Sequence, residues 1–262
     1  MNLRRATTIF KRNWYELRHT PAEVFDLLYW PFFDLLAWGL LASFIEGGDV
    51  ELPIPIAFLI GAALLWNVVW RVQNGINIAF LVETWTNNVI GLLASPMTPG
   101  EFIGGALIWT GFQLCVQLTI MTLLAWFVFD FGLFSIGISL VPFMAALMLF
   151  AVALAFFILG VILRVGHGAN AMAWGVAGIV QPLSAVYYPV EVLPGWAQVM
   201  AHALPTSHIF EGMRAVLAGG SPPWGRLWTA VALDAVYLAI GAWFARRMFE
   251  TLRRRGYVTR YA

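Results

Sequence analysis

The sequence predicts an all-α membrane protein with six transmembrane helices. Three observations carry that expectation. Of 262 residues, 61% are hydrophobic and only 11% are charged. A soluble domain carries about 25% charged residues, so this chain has too little polar surface to cover a soluble core. Six apolar runs, at about 25–45, 54–81, 103–129, 136–163, 171–188 and 228–248, reach the length a crossing helix needs. Lys and Arg collect in the segments that six crossings bring to one side. Short connections between the middle runs make one bundle, read as a single transmembrane domain over residues 1–262, without repeats or low-complexity segments.

Residues 1–24 are mixed in character. Leu3, Phe10, Trp14 and Leu17 fall near helical spacing, with Arg and Lys elsewhere on the wheel. That pattern predicts an amphipathic helix at the cytoplasmic interface, against the plainer reading of a basic anchor before a span. The first long apolar run begins near Phe25 and exceeds a signal-peptide core, so it is read as a span. It is crowded with aromatics, Tyr29, Trp30, Phe33, Trp38 and Phe44 among them. Most of them suit interfacial belts and lipid contact; a minority on a path would suit sugar faces or apolar cargo.

The second run repeats polar residues every three to four positions: Asn67, Arg71, Asn74 and Asn77. They share a helical face, and an arginine within a bilayer must face protein or water. Asp34 on the first run reaches a similar depth, and a direct Asp34–Arg71 pair is expected. The connection over residues 83–101 contains neither Lys nor Arg. Its middle is expected to form a short helix with Val89, Leu92 and Leu93 on one side, ending before Pro96. Such a face outside the membrane suits a protein partner or rests on the bilayer. Cys115, the single cysteine, excludes an internal disulfide and is read as a packed thiol.

The fifth run is interrupted by Pro182 and merges into residues 187–220. There Pro189, Pro194 and Pro205 cut an apolar stretch into pieces too short to cross. The segment is expected to fold back near one face as short re-entrant helices. Within it, Glu211 and Arg214 have the spacing of a helical ion pair. Asp234, in the outer half of the sixth run, is expected to pair with Arg214 or Arg226, or to meet water.

Charge sets the orientation. Arg4, Arg5, Lys11, Arg12 and Arg18 precede the first run, Arg164 follows the fourth, and Arg246, Arg247, Arg253, Arg254, Arg255 and Arg260 follow the sixth. All are expected on the cytoplasmic side, with both termini, leaving residues 187–220 outside. The chemistry is limited too. Lys11 is the only lysine, and no Gly-x-x-x-x-Gly-Lys precedes a Ser or Thr, so a P-loop ATPase site is excluded. His19, His167, His202 and His208 form no His-Glu-x-x-His cluster, which argues against a metal centre.

Two stretches resemble a known family. The acidic Glu83 with Trp85, followed by Gly91-Leu92-Leu93-Ala94-Ser95-Pro96, is similar to the coupling region of type-2 ABC exporter permeases. Tyr188-Pro189-Val-Glu-Val-Leu193-Pro194-Gly-Trp196, then Leu204-Pro205 and Glu211-Gly-Met-Arg214, resembles that family's outer signature before the last span. The resemblance covers essentially the whole chain. It implies two paired permeases in a cell membrane, each on a separate ATPase subunit that holds ATP and magnesium, with no cofactor in this chain. It also implies that Glu83, Trp85, Val89, Leu92, Leu93, Ser95 and Pro96 couple to that ATPase. Export of an amphipathic or lipid-linked cargo, a drug, glycolipid or polysaccharide, is the function implied, and nucleic acid is not a partner. The competing readings are a secondary transporter driven by an ion gradient and an intramembrane enzyme or scaffold. Only Asp34 and Asp234 are clear intramembrane acids, and no nucleophile–base pair supports an enzyme.

Overall fold

A computed structural model describes residues 3–46, 56–86, 88, 89, 91, 95–132 and 140–255. Among them are nine α-helices and no strand: α1 (Leu3–His19), α2 (Pro21–Glu46), α3 (Ile56–Trp85), α4 (Pro99–Phe129), α5 (Leu140–Val165), α6 (Asn170–Leu183), α7 (Gly195–Ala203), α8 (Pro205–Leu217) and α9 (Trp224–Arg255).

Local chemistry fixes the boundaries. Thr98 caps α4 with its side chain accepting from the Glu101 N–H, while the Glu101 carboxylate accepts from the Thr98 N–H at 3.0 Å. Pro99 then occupies the first turn, where no N–H is needed. α4 stops at Asp130, in the left-handed region at φ 51°, whose N–H returns to the Ala125 carbonyl. Pro21 and Pro205 open α2 and α8 in the same permissive position. Pro31 lies inside α2 and is buried, where neighbouring helices cover the gap it leaves.

Among the described residues, four helices are long and apolar enough to cross a membrane: α2, α4, α5 and α9. α3 has 30 residues, about 45 Å at 1.5 Å per residue, but carries the polar row. The run expected at 171–188 is shorter than the sequence suggests. It is α6, 14 residues with Pro182 in its last turn, ending at Leu183. That is about 21 Å against a hydrocarbon core of about 30 Å. Cys115 is exposed on α4, correcting the expectation of a packed thiol.

Side-chain contacts give the direction of each helix. Asp34 meets Asn67 and Leu27 meets Arg71, so α2 and α3 are antiparallel. Gly39 faces Phe129, while Leu28 and Gln117 line one hollow, so α2 and α4 run together. Phe150 packs on Tyr237 and Phe157 on Phe244; α5 and α9 therefore also run together. The seam between them is tight. A Cβ on Gly241 would sit 2.7 Å from the Ala153 carbonyl oxygen, so only glycine allows that approach.

The bundle thus has two distinct ends. At one lie α1, the end of α3, the start of α4 and the ends of α5 and α9. There Phe80, Leu81 and Phe102 pack with Ile158, Ile162 and Leu163. At the other, α8 closes over the starts of α3, α5 and α9, with Phe210 against Trp66 and Gly212 against Phe143. The main core runs between them through Leu64, Val68, Leu147 and Phe150.

Candidate functional site

Three groups of the expected residues are brought together, each by different means. The first lies at the α1 end. Glu83, in the last turn of α3, is 2% exposed. Its Oε1 accepts from Arg12 on α1 at 2.5 Å, and its Oε2 accepts from the Asn88 amide at 2.6 Å. A carboxylate this buried needs such partners. The apolar side of α1 faces α4, where Phe10 meets Trp109 at 5.4 Å and Trp14 meets Phe112 at 5.5 Å. Leu17 and Ile9 are buried beside them. The helix is therefore fastened twice, by rings to α4 and by charge to the end of α3.

Beyond Glu83, Trp85 is exposed, Val89 and Ser95 are half-buried and Pro96 is exposed. The Ser95 N–H reaches the Gly91 carbonyl at 3.0 Å, and the Ser95 hydroxyl accepts from the Met97 N–H at 3.3 Å. Leu92 and Leu93 lie outside the described residues. Asn88, which completes the grip on Glu83, was not singled out from the sequence; its signal is a polar residue one turn beyond an acid.

The second group lies within the bundle. The expected direct Asp34–Arg71 pair does not form. Asp34 Oδ2 instead accepts from the Asn67 amide at 2.7 Å. Asn67 Oδ1 accepts from Gln117 Nε2 at 3.1 Å, and Gln117 Oε1 accepts from Arg71 Nε at 2.6 Å. Arg71 also donates to the Leu27 carbonyl at 3.3 Å. Two amides thus relay between acid and base. The reason is register: Arg71 sits one turn from Asn67, and Asp34 faces the Asn67 turn. Gln117, 1% exposed, was missed in the sequence because it and Gln113 are isolated amides in a long apolar run.

The rest of the row points elsewhere. Asn77 is fully buried with neither amide atom hydrogen-bonded among the described residues, and Asn74 uses only its amino group, on the Trp70 carbonyl. Gln73 donates to the Ala173 carbonyl of α6 at 3.0 Å. Asp234 is a second correction. It is fully buried between α9 and its neighbours, and neither carboxylate oxygen has a hydrogen-bond partner among the described residues. Arg214 and Arg226 both turn to Glu211 instead.

The third group is the knot at the α8 end. Arg214 donates to Glu211 at 2.5 Å and to the Ala185 and Tyr188 carbonyls at 3.1 and 2.9 Å. Its guanidinium lies 4.4 Å from the Phe58 ring centre. Burial pulls the Arg214 pKa below the ordinary arginine value, and Glu211 pulls it back up. The group stays charged either way. Glu211 also accepts from the Val190 N–H at 3.1 Å, with Arg226 at 3.7 Å. The expected i to i+3 pair is present, and it organises the whole turn.

The prolines then direct the chain. Pro189 and Pro194 hold extended backbone before a short turn and before α7, and Pro205 starts α8. Leu193 gives its carbonyl to Gln198 at 2.8 Å, and the Tyr188 hydroxyl donates to the Pro182 carbonyl at 2.7 Å. Ser184 and Thr206 hydroxyls meet at 2.7 Å, joining the end of α6 to α8.

The described residues thus form a multi-pass helical membrane protein, with an amphipathic N-terminal helix tethered at one end and a broken-helix segment at the other. The sequence matches the family described as ABC-2 type transporter over residues 5–218. This chain belongs to that family, whose members are transmembrane components without an ATPase domain of their own. A comparison with individually curated proteins finds no match.

Proposed function

We propose that this chain is the membrane-spanning permease subunit of an ATP-driven exporter in the cell membrane. It is a single domain that crosses the bilayer six times. Residues 187–220 form a re-entrant segment on the outer face, and a separate subunit supplies ATP hydrolysis with magnesium. A second copy, or a similar permease, completes the pathway. The cargo is amphipathic or lipid-linked.

One observation carries this reading: the grip of Arg12 and Asn88 on Glu83. It joins the N-terminal helix to the connection that follows α3, where force from a partner would arrive. The parallel course of α5 and α9 supports six crossings, because the chain must return between them. α6 with the proline-cut segment provides that return. Lys11, Arg12, Arg18, Arg164, Arg246 and Arg247 share the α1 end, which the positive-inside rule assigns to the cytoplasm.

A second reading, a carrier driven by an ion gradient, is favoured by one observation alone, the buried Asp234, whose carboxylate has no hydrogen-bond partner among the described residues. The test replaces the apolar positions within residues 85–94 by polar residues. The exporter reading expects a folded permease that no longer raises ATP hydrolysis by its ATPase partner. Unchanged stimulation contradicts it, and transport driven by a proton gradient without ATP establishes the carrier.

A further inference from the structure

Asp34 has a second neighbourhood that the relay to Arg71 does not use. Trp38, one turn along α2, stacks face to face on Tyr187, just beyond α6, with ring centres 3.7 Å apart and planes 19° apart. Gln181 on α6 donates to the Tyr187 hydroxyl at 3.2 Å. Asp34 stands one turn before Trp38 on α2, on the face that the Tyr187 ring meets. All four residues are half-exposed rather than sealed in the core. Beside them Phe33, Ala37 and Leu41 on α2, and Gly178 and Ile179 on α6, are exposed, so the cluster opens sideways rather than into the bundle.

We propose that Asp34, Trp38, Tyr187 and Gln181 form a binding site for the cationic head of an amphipathic molecule. The site is a cargo site of the exporter described above, and it rests on that reading only for its role. The chemistry favours a cation for three reasons. Among the described ion pairs, those of Glu83 and Glu211, none involves Asp34, whose one hydrogen bond of measured length comes from a neutral amide. A carboxylate away from bulk water that is held only by neutral groups gains most from a cation. The two rings add faces of negative quadrupole, the surfaces that bind ammonium-type groups. A neutral sugar would leave the charge of Asp34 without a counter-charge. The sideways opening lets an apolar tail stay in the bilayer while the head engages Asp34.

The test is equilibrium binding to the purified permease in lipid nanodiscs, without its ATPase. The probes are tetraphenylphosphonium and tetraphenylborate, matched in shape and opposite in charge, with maltose as the neutral sugar. Saturable binding of the cation is expected, with the anion bound no better than by empty nanodiscs. Asp34→Asn should weaken the cation about tenfold or more, equivalent to about 1.4 kcal/mol. Asp34→Glu should keep it. Trp38→Leu, which removes the ring and keeps the position apolar, should weaken it about threefold. If Asp34→Asn fails to fold, Trp38→Leu and Tyr187→Leu carry the test in its place. Equal binding of both ions, cation binding indifferent to these variants, or saturable binding of maltose in place of the cation would overturn the proposal. Because no ATPase is present, failure here leaves the exporter reading standing. Failure of ATPase stimulation leaves this site standing.

Discussion

Glu83 and Glu211 are both glutamates drawn into opposite ends of one bundle, and both are held by arginine, yet they do different work. Glu83 joins segments 71 residues apart, through an arginine that is 46% exposed. Glu211 is held by Arg214 three residues away and by the Val190 N–H, in a knot whose two side chains are 11–13% exposed. One contact ties a surface helix to a connection and leaves the bundle otherwise intact. The other pins the backbone at Ala185, Tyr188 and Val190 to α8. On the proposed reading, one residue type serves a coupling contact at one end and a structural closure at the other. Exposure of the basic partner separates the two roles.

The largest expected effect comes from breaking the knot. Arg214→Ala leaves Glu211 with the Val190 N–H and the more distant Arg226, and takes the donor from two carbonyls. A loss of about 3–5 kcal/mol is expected, the usual cost of removing one partner of a buried pair. Thermal unfolding of the purified protein measures it; a shift no larger than that of Arg12→Ala would erase the contrast between the two ends.

Asp234 is the opposite case, a buried acid whose carboxylate has no hydrogen-bond partner among the described residues. Asp234→Leu is expected to stabilise the fold by about 1–3 kcal/mol, the cost of an unsatisfied buried polar group. A raised unfolding temperature checks this. A lowered one would mean that Asp234 meets a partner the described residues do not contain.

Glu83→Gln has the smallest expected effect on stability. An ion pair whose arginine is nearly half exposed contributes about 0–1 kcal/mol, and the Asn88 hydrogen bond survives in part. Its effect should instead appear as weaker association with the ATPase subunit. A large drop in unfolding temperature with unchanged association would reverse the roles given to the two ends.

Much of the architecture was legible in composition and punctuation. Apolar runs placed α2, α4, α5 and α9, and the positions of Pro189, Pro194 and Pro205 marked where the chain turns. The polar row on α3 was legible as a face because helical spacing alone defines it. Which groups that face meets was not. Arg71 has a side chain long enough to reach several partners, and the rotation of α4 brings Gln117 between it and Asn67. Asp234 was misread for the same reason: Arg214 and Arg226 could reach it or Glu211, and the fold of α8 decides for Glu211. The Trp38–Tyr187 stack joins positions 149 residues apart, a distance no local pattern bridges.

The most direct test of the coupling role is a charge exchange across Arg12 and Glu83. The permease is purified with its ATPase subunit as wild type, Arg12→Glu, Glu83→Arg and the double exchange. Permease-dependent ATP hydrolysis is measured alongside the association of the two subunits. Each single variant should lose most of the stimulation, because like charges then face each other at 2.5 Å contact distance, and the double exchange should recover it. Full stimulation in either single variant, or no recovery in the double, would contradict a coupling contact at this end of the bundle.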